Sequence, residues 1–200
     1  MNTRSSKESQ TVRDRIVDAA LDEFYGSGFH GATMRTIGNR AGCSAANVYN
    51  HFESKSELLV EILRSASDAQ FTATRNALRK AGDDPARRWE VAVAAHALFA
   101  ARMPRECLVA NTELRYLDDV DRKRVVGSRD AQEQLFVELA QAGVGKGVFV
   151  IPRVHEAVTA VLTMCSGIPL WFRPDGPLTA QEVAEDYGRF ALNLVGYRSD

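Results

Sequence analysis

The chain has 200 residues, of which 45% are hydrophobic and 26% are charged, and its formal net charge is −1 at pH 7. This composition is that of a globular chain long enough to bury a sizeable core, and it excludes a fibrous or an intrinsically disordered protein. Because the overall charge is close to zero, any nucleic-acid site has to be a local basic patch.

Targeting segments and metal-ligand clusters are missing from the sequence pattern. No apolar run approaches the ~20 residues of a membrane span, and the N-terminal "MNTRSSKESQ" lacks the hydrophobic segment of a secretory signal. We therefore expect a cytoplasmic protein.

Cys43, Cys107 and Cys165 lie far apart, without C-x-x-C or Cys/His spacing, so we expect reduced, packed thiols, no metal and no cofactor.

Helical patterns fill the first 80 residues. Residues 11–26 carry an apolar stripe at helical spacing, and we expect Gly26 and Gly28 to end this helix. Capping residues mark the starts of three further helices, at Thr33, Ser44 and Ser54. Ser54 also forms a capping-box pattern with Glu57, which begins a long amphipathic helix over about 55–80.

The second part of the chain is helical as well. The segment "AGDDPARR", residues 81–88, is the clearest break, because the residue before Pro85 disfavours helix and the proline favours a new helix start. The glycine-rich residues 143–149 predict a turn, and apolar periodicity predicts last helices over 153–172 and 179–197. No long alternating strand pattern occurs, so the prediction is an all-α fold.

Residues 45–52 form a very short predicted helix with two different faces. On a helical wheel Ala45, Val48, Tyr49 and Phe52 lie on one side, and Ala46, Asn47, Asn50 and His51 lie on the other. We expect the first set to pack inward. Two short helices joined by "GCS" make a helix-turn-helix, whose second helix can enter a major groove. The alternative at this point is a small solvated helix with polar residues and no partner.

The sequence "TMRTIGNRAGCSAANVYNHFESKSELL", residues 33–59, closely resembles the DNA-binding core of the TetR family of transcriptional regulators. The matching residues are Thr33, Ile37, Ala41, Gly42, Ser44, Tyr49, His51, Phe52, Ser54, Lys55 and Leu58. Gly38, Cys43 and Ala46 depart from the usual alanine, valine and glycine. We expect Gly38 to loosen the second helix slightly and Ala46 to alter the approach to the groove.

The resemblance implies roles for the residues around the turn. The expected phosphate contacts are Thr33, Arg35, Tyr49, His51 and Lys55, and the expected base-facing residues are Asn47 and Asn50, with Ser44, Ala45 and Ala46 beside them. The N-terminal arm, with Arg4 and Lys7, adds local positive charge. The resemblance further implies about nine helices in all. Residues 1–55 are then a three-helix DNA-binding domain, and residues 56–200 are an effector and dimerisation domain joined to it by the helix over about 55–80.

The last two helices have wide apolar faces with no further chain to cover them. We therefore expect them to form a four-helix bundle between two subunits, with monomer burial as the alternative. The expected interface residues are Val154, Val158, Val161, Leu162, Val183, Tyr187, Phe190 and Leu194. Such a dimer, by resemblance, binds a near-palindromic operator, usually as a repressor.

Effector-binding residues are harder to predict, because each candidate can also be an ordinary core or surface residue without a ligand. The expected ligand-binding residues are His96, Phe99, Met103, Asn111, Arg115, Phe136, Met164 and Trp171. The C-terminal half resembles a TetR branch that includes regulators responsive to acyl-coenzyme A thioesters. The cations available for such a ligand's phosphates are Arg115, Arg122, Lys123, Arg124, Arg129 and Arg173. We expect a small-molecule effector, with an acyl-CoA or another lipid-derived compound as the hypothesis.

Two other functions are open to the sequence. A thiol-based redox sensor would use Cys43, in the turn before the recognition helix. A small helical enzyme is the weaker alternative, because no nucleophile elbow, phosphate loop, metal-binding helix motif or paired carboxylate motif occurs. We therefore predict a ligand-responsive transcriptional regulator without enzymatic activity or a membrane partner.

Overall fold

A computed structural model of the chain describes residues 11–197, with the backbone alone described at Ser128. Arg4 and Lys7 of the predicted N-terminal arm lie outside the described residues. In the described part the helices are α1 (Val12–Gly31), α2 (Met34–Ala41), α3 (Ala45–His51), α4 (Lys55–Leu78), α5 (Pro85–Arg102), α6 (Pro104–Thr112), α7 (Asp119–Gly145), α8 (Val154–Ser166), α9 (Ile168–Trp171) and α10 (Ala180–Leu194). A 3-10 turn, Leu114–Tyr116, follows α6. The described range contains no strand, which confirms the all-α prediction.

The number of helices also agrees with expectation, since α9 is a single turn and nine longer helices remain in the described range. Asp84 caps α5 and Pro85 stands in its first turn, as the break at 81–88 predicts. Thr179 and Glu182 form a reciprocal capping box at the start of α10. Ser54 accepts a hydrogen bond from the Glu57 amide, but the Glu57 carboxylate accepts from the Glu53 amide, so only half of that predicted box forms.

Three element boundaries differ from the sequence prediction. Helix α1 runs past Gly26 to Gly31, with a kink at Gly28, whose φ of 68° and ψ of 170° are not helical. Helix α7 continues to Gly145, so the turn predicted at 143–149 is shorter. The helix predicted over 153–172 breaks into α8 and α9, because Pro169 in the first turn of α9 has no amide to continue the hydrogen-bond ladder.

Two apolar clusters hold the described residues together. One joins α1–α3 and the start of α4 to Val109, Leu117 and Val125 from the second part of the chain. The other surrounds α5, where the fully buried Trp89 donates through Nε1 to the Ala191 carbonyl at 3.1 Å. The long helix α4 contributes to both clusters. No described helix is long and apolar enough to cross a membrane.

Candidate nucleic-acid interface and internal cavity

The turn between α2 and α3 is built by local caps. Thr33 accepts from the Thr36 amide at 3.1 Å, and Thr36 accepts from the Thr33 amide at 3.0 Å. Helix α2 ends at Gly42 in the left-handed conformation. Ser44 then caps α3 by accepting from the Asn47 amide at 3.1 Å. Each cap satisfies one of the free amides at the start of its helix and fixes where that helix begins.

Gly38 allows the turn to lie directly against α2. A Cβ at this position would stand 3.0 Å from the Cys43 carbonyl oxygen and 3.2 Å from the Ala45 amide nitrogen. The Cys43 amide donates to the Gly38 carbonyl at 2.9 Å. The missing side chain lets the two backbones touch, a role of Gly38 that we had not predicted, and our expectation that Gly38 loosens the helix stays a prediction.

Helix α3 presents a polar outer face. Val48 and Phe52 are buried beneath it, as the helical wheel predicts. Tyr49 is 55% exposed, so its predicted inward orientation is wrong. Apart from Lys55, the predicted contact residues are exposed or half-exposed, and we call them the outer strip: Thr33, Arg35, Ser44, Ala45, Ala46, Asn47, Tyr49, Asn50 and His51. The strip thus combines amide side chains, small residues, rings and a cation.

Lys55 differs from this strip because its ammonium group points into the protein. Nζ donates to the Phe29 carbonyl and, at 2.7 Å, to the Ala32 carbonyl, and it lies 4.4 Å from the centre of the Phe29 ring. Burial lowers the pKa of Lys55 from its ordinary value. This geometry corrects its assignment as a phosphate-binding cation: in this conformation Lys55 joins the start of α4 to the end of α1.

A second contact reaches the end of α1 from the C-terminal part of the chain. The buried carboxylate of Glu113 accepts from the Phe29 amide at 2.8 Å and from the Thr112 hydroxyl at 2.8 Å. Tyr116 stacks on the Phe29 ring, with centroids 5.8 Å apart. Arg105 of α6 forms an ion pair with Asp22 of α1. The kinked end of α1 is therefore held by both α4 and α6.

A partly open cavity of about 250 Å³ lies among α4–α8. Its lining consists of Ala66, Ser67, Gln70, His96, Phe99, Ala100, Cys107, Ala110, Asn111, Arg129, Gln132, Glu133, Thr159, Leu162, Thr163 and Ser166. Of the predicted ligand-binding residues, the structure brings His96, Phe99 and Asn111 together here. Arg129 is the one member of our predicted set of phosphate-binding cations that joins them.

The remaining predicted ligand residues lie elsewhere, and we correct those assignments. Phe136 is fully buried and packs edge-on against Trp89, which leaves no surface for a ligand. Met164 packs against the apolar cluster around α5. The other three are Met103, in a separate groove beside α1 and α4, Arg115, stacked over Tyr116, and Trp171, stacked on Tyr187 at the surface.

A polar network forms one wall of the cavity. The Gln132 amide nitrogen lies 3.1 Å from Thr74 Oγ1 and 3.1 Å from His96 Nδ1, and His96 Nε2 lies 3.4 Å from Gln70 Nε2. Burial lowers the pKa of His96 to about 4, so its ring is neutral at pH 7. Sequence reasoning missed Gln70 and Gln132. A usable signal is that Gln132 stands one helical turn before the core residue Phe136.

The predicted dimer surface is only partly exposed. Val158, Val161 and Val183 are buried in the cluster of their own chain, so they cannot meet a partner, and Leu162 lines the cavity. Val154 and Tyr187 are half-buried. Phe190 and Leu194 remain 51% and 42% exposed. Together with Trp171, which stacks on Tyr187 beside Phe190, they form an exposed apolar face of α9 and α10, and Trp171 was not part of our predicted interface. Leu170 of α9 and Leu178, which precedes α10, are exposed as well.

The cysteines offer little support for redox sensing. Burial raises the pKa values of Cys107 and Cys165 to about 12, which suppresses their reactive thiolates. Cys43 is half-buried against the cluster of α1–α4. Among the described residues, no group of three or more His, Cys, Asp or Glu side chains is arranged to hold a metal ion.

Comparison with known proteins identifies the family. The model of the bacterial regulatory proteins of the tetR family matches residues 16–62, and that of the tetracyclin repressor-like C-terminal domain matches residues 82–195. The HTH-type transcriptional repressor KstR2 of Mycolicibacterium smegmatis is 25% identical over 185 residues, which are 92% of this chain and 90% of that relative.

Solved structures have the same fold. The TetR family transcriptional regulator PfmR from Thermus thermophilus is 32% identical, with a TM-score of 0.81 over 90% of this chain and 98% of that chain. AibR, solved in complex with isovaleryl coenzyme A and operator DNA, has a TM-score of 0.83 over 94% of this chain and 100% of that chain, at 19% identity. The two family models together cover both parts of the chain, and the chain belongs to the TetR family of bacterial regulatory proteins.

Proposed function

We propose that this protein is a ligand-responsive transcriptional repressor that binds a near-palindromic operator as a homodimer and leaves it when a small molecule occupies the cavity. The carrying observation is that α4 and α6 both line the cavity and both contact the end of α1, the helix on which α2 packs. Family membership and the similarity to the repressor KstR2 support the regulatory role. No enzymatic step is part of the proposal.

The DNA-binding part of the proposal assigns base reading to the amide side chains of α3. Asparagine can donate to and accept from one base edge, and Asn50 is exposed. The small Ala45 and Ala46 allow α3 to approach the groove closely. The proposed phosphate contacts come from Thr33, Arg35, Ser44, Tyr49 and His51, which flank these residues on the same strip. Residues 1–55 then act as the DNA-binding domain and residues 56–200 as the effector domain.

The dimer is proposed to form through the exposed apolar face of α9 and α10. Phe190, Leu194 and Trp171 would lose water-exposed area in a bundle of two helices from each subunit. Two recognition helices held in this way can enter successive major grooves only at a separation near one DNA turn, ~34–36 Å. A ligand that changes this separation weakens operator binding.

The proposed coupling uses two contacts on the kinked end of α1. Helix α4 runs from Lys55, bonded to Phe29 and Ala32, to Ser67 and Gln70 at the cavity. Helix α6 lines the cavity with Asn111 and is followed by Glu113, bonded to the Phe29 amide. A displacement of either helix by a ligand therefore acts on the same few residues. By linkage, ligand and operator then lower each other's affinity by the same factor.

An acyl-CoA is our hypothesis for the effector. AibR binds isovaleryl coenzyme A, and Arg129 provides a cation at the cavity of this chain. A cavity of about 250 Å³ is below the ~300–1,000 Å³ of common ligand clefts, which favours enclosure of the acyl end with the nucleotide outside. Thermal-shift measurements with a series of CoA thioesters test this choice, and the absence of any shift would count against it.

Mobility shift with footprinting on DNA upstream of the protein's own gene and its neighbours tests the whole proposal. We expect protection of two half-sites about one DNA turn apart. Asn50→Ala should lower the preference for the operator over random DNA by about tenfold or more, since one good base contact discriminates by ~1–3 kcal/mol. Asn76→Ala, an exposed change near the end of α4, is the matched control. Equal losses on all DNA would remove Asn50 from base reading.

A further inference from the structure

Two side chains separate the cavity from the groove beside α1 that contains Met103. This groove, which we call the α1 groove, has a volume of about 400 Å³ and lies between α1, α4 and the α5–α6 junction, with Val17 and Ile62 among its lining residues. Ala66 and Phe99 line both the α1 groove and the cavity. Because an alanine side chain is a single methyl group, Phe99 forms the larger part of this partition.

Phe99 is held less firmly than the other large rings of its surroundings. It is half-buried and belongs to neither of the two apolar clusters. Its ring makes no aromatic contact with another described residue, whereas Phe136 packs edge-on against the buried Trp89. A helical phenylalanine has two common χ1 rotamers, and empty space on two sides allows Phe99 to move between them without repacking either cluster.

The α1 groove has an apolar floor and a charged rim. Leu21 and Ile62 on the floor are only 6% and 4% exposed. On the rim, Arg13 of α1 forms an ion pair with Glu61 of α4 at 3.2 Å. The other charged lining residues are Asp14, Asp18 and Glu106. The floor therefore favours an apolar segment of a ligand, and the excess of carboxylates disfavours an anionic one.

The cavity offers the opposite charge on the other side of Phe99. Arg129 lines the cavity and is half-buried, and it forms neither an ion pair nor a hydrogen bond with any other side chain that the structure describes. Glu133, one turn further along α7, lines the cavity too but is exposed and does not pair with Arg129. A half-buried cation without a counter-ion favours an anionic group, because burial removes part of its hydration.

We propose that Phe99 is a gate between the cavity and the α1 groove, through which the uncharged, apolar end of an elongated ligand passes while an anionic end stays at Arg129. This inference rests on the proposed function in one respect, that the cavity is the effector site. A short ligand occupies the cavity alone, whereas a longer one displaces the Phe99 ring and enters the α1 groove. Phe99 thereby determines which length of ligand reaches α1.

Occupation of the α1 groove acts on the recognition helix by a short route. The Arg13 guanidinium lies 4.8 Å from the ring centre of Phe52, the residue at which α3 ends. The ion pair of Arg13 with Glu61 joins α1 to α4 at the same place. A chain segment between these helices changes their separation and moves Arg13 relative to Phe52. A long ligand therefore weakens operator binding, whereas a short one binds without this effect.

Two linear carboxylates of different length test the gate on the full-length protein. Hexanoate and dodecanoate, used below micelle-forming concentrations, carry the same anionic end, and calorimetry measures their dissociation constants. The variants are Phe99→Ala, Ala69→Trp and the control Asn76→Trp. Ala69 lines the α1 groove but not the cavity, so an indole there fills the groove alone. Asn76 is exposed two turns further along α4 and lines neither.

We expect the wild type to bind dodecanoate about tenfold or more tightly than hexanoate, because each buried CH₂ group contributes to affinity. Ala69→Trp should remove most of this preference by weakening dodecanoate alone, and Asn76→Trp should leave both constants unchanged. Phe99→Ala should increase the preference severalfold, because no ring has then to be displaced. Dodecanoate, unlike hexanoate, should release operator DNA from the wild type.

A crystal structure of the wild type with 12-bromododecanoate locates the end of the chain directly, including the case in which Ala69→Trp does not fold. The anomalous signal of bromine is expected in the α1 groove, beside Leu21 and Ile62. Binding of neither carboxylate, equal losses of both in Ala69→Trp, an unchanged preference in Phe99→Ala, or bromine outside the α1 groove would overturn the inference.

The outcome is separable from that of the proposed function. Footprinting measures operator binding without any probe, so a protected operator together with bromine outside the α1 groove rejects only the gate. Bromine in the α1 groove without operator protection supports the gate and rejects the repressor function.

Discussion

Replacing Lys55 with methionine distinguishes a structural cation from a DNA-binding one. The wild-type ammonium donates to the carbonyls of Phe29 and Ala32, and methionine has a similar length without a donor. Arg35→Met is the matched comparison, because Arg35 is exposed on the outer strip and has no ion pair within the described residues. The two substitutions remove the same charge, one from a half-buried and one from an exposed side chain.

The expected effects of the two substitutions on stability and on DNA binding follow from the surroundings of Lys55 and Arg35. A hydrogen bond to a charged group contributes ~1.5–3 kcal/mol, but Lys55 is only half-buried and water can replace part of the loss, so we expect a cost of about 2 kcal/mol. For a chain of this length that lowers Tm by about 4–8 °C. A lost phosphate contact lowers the salt slope by about 0.9, hence about 1.8 for two subunits.

Thermal unfolding and operator titrations at several salt concentrations are the assays. Lys55→Met should lower Tm and weaken operator binding in parallel at every salt concentration, with an unchanged slope. Arg35→Met should leave Tm unchanged and reduce the slope. If Lys55→Met keeps the wild-type Tm and reduces the slope instead, Lys55 binds phosphate and our reading of its contacts is refuted.

Three further predictions concern stability and assembly. The pKa of His96 is about 4 in the folded chain against an ordinary 6.5, so the folded state binds fewer protons than the unfolded state between these values. The contribution of His96 to stability is therefore complete above pH 6.5, and about 2–3 kcal/mol of unfolding free energy should be lost at pH 4.5. Urea unfolding of the wild type and of His96→Leu measures this loss. Gly28→Ala should cost ~1–3 kcal/mol of unfolding free energy because its backbone lies in a region restricted to glycine, whereas Gly26→Ala, with open space around its Cβ, should not. Phe190→Glu should give monomers in sedimentation, whereas Val120→Glu, exposed at the start of α7, should not.

Each of these predictions has a contradicting result. If His96→Leu loses as much unfolding free energy between pH 6.5 and pH 4.5 as the wild type does, groups other than His96 cause the pH dependence. Equal stability of the two glycine variants would mean that the kink at Gly28 is not strained for alanine. A Phe190→Glu protein that remains dimeric would exclude the exposed face of α10 as the centre of the interface.

Local chemistry explains why much of the helix-turn-helix was predictable. Thr33, Ser44 and Thr179 cap their helices through atoms three residues away, and such short-range bonds depend on little beyond the neighbouring sequence. The Lys55 contacts were not predictable in the same way. Its carbonyl partners are 26 and 23 residues distant, and a long flexible side chain has many rotamers from which tertiary packing selects one.

The candidate cavity depended still more on packing. His96, Phe99 and Asn111 were chosen as mixed polar and apolar residues of the middle helices, and they do line it. Phe136 has the same residue type as Phe99 but is fully buried in the core. Gln132 received no role, although its hydrogen-bond neighbours, Thr74 and His96, come from two other helices. Composition cannot distinguish such residues, since the distinction depends on which helix lies opposite.

The sequence by itself determined the all-helical class, the helix starts and the helix-turn-helix, because periodicity and capping act within a few residues. It also determined that the last two helices have wide apolar faces. Only the tertiary structure decided that Val158, Val161 and Val183 are covered by their own chain while Phe190 and Leu194 remain exposed. A helical pattern specifies that a face is apolar, but burial depends on distant elements that the pattern does not contain.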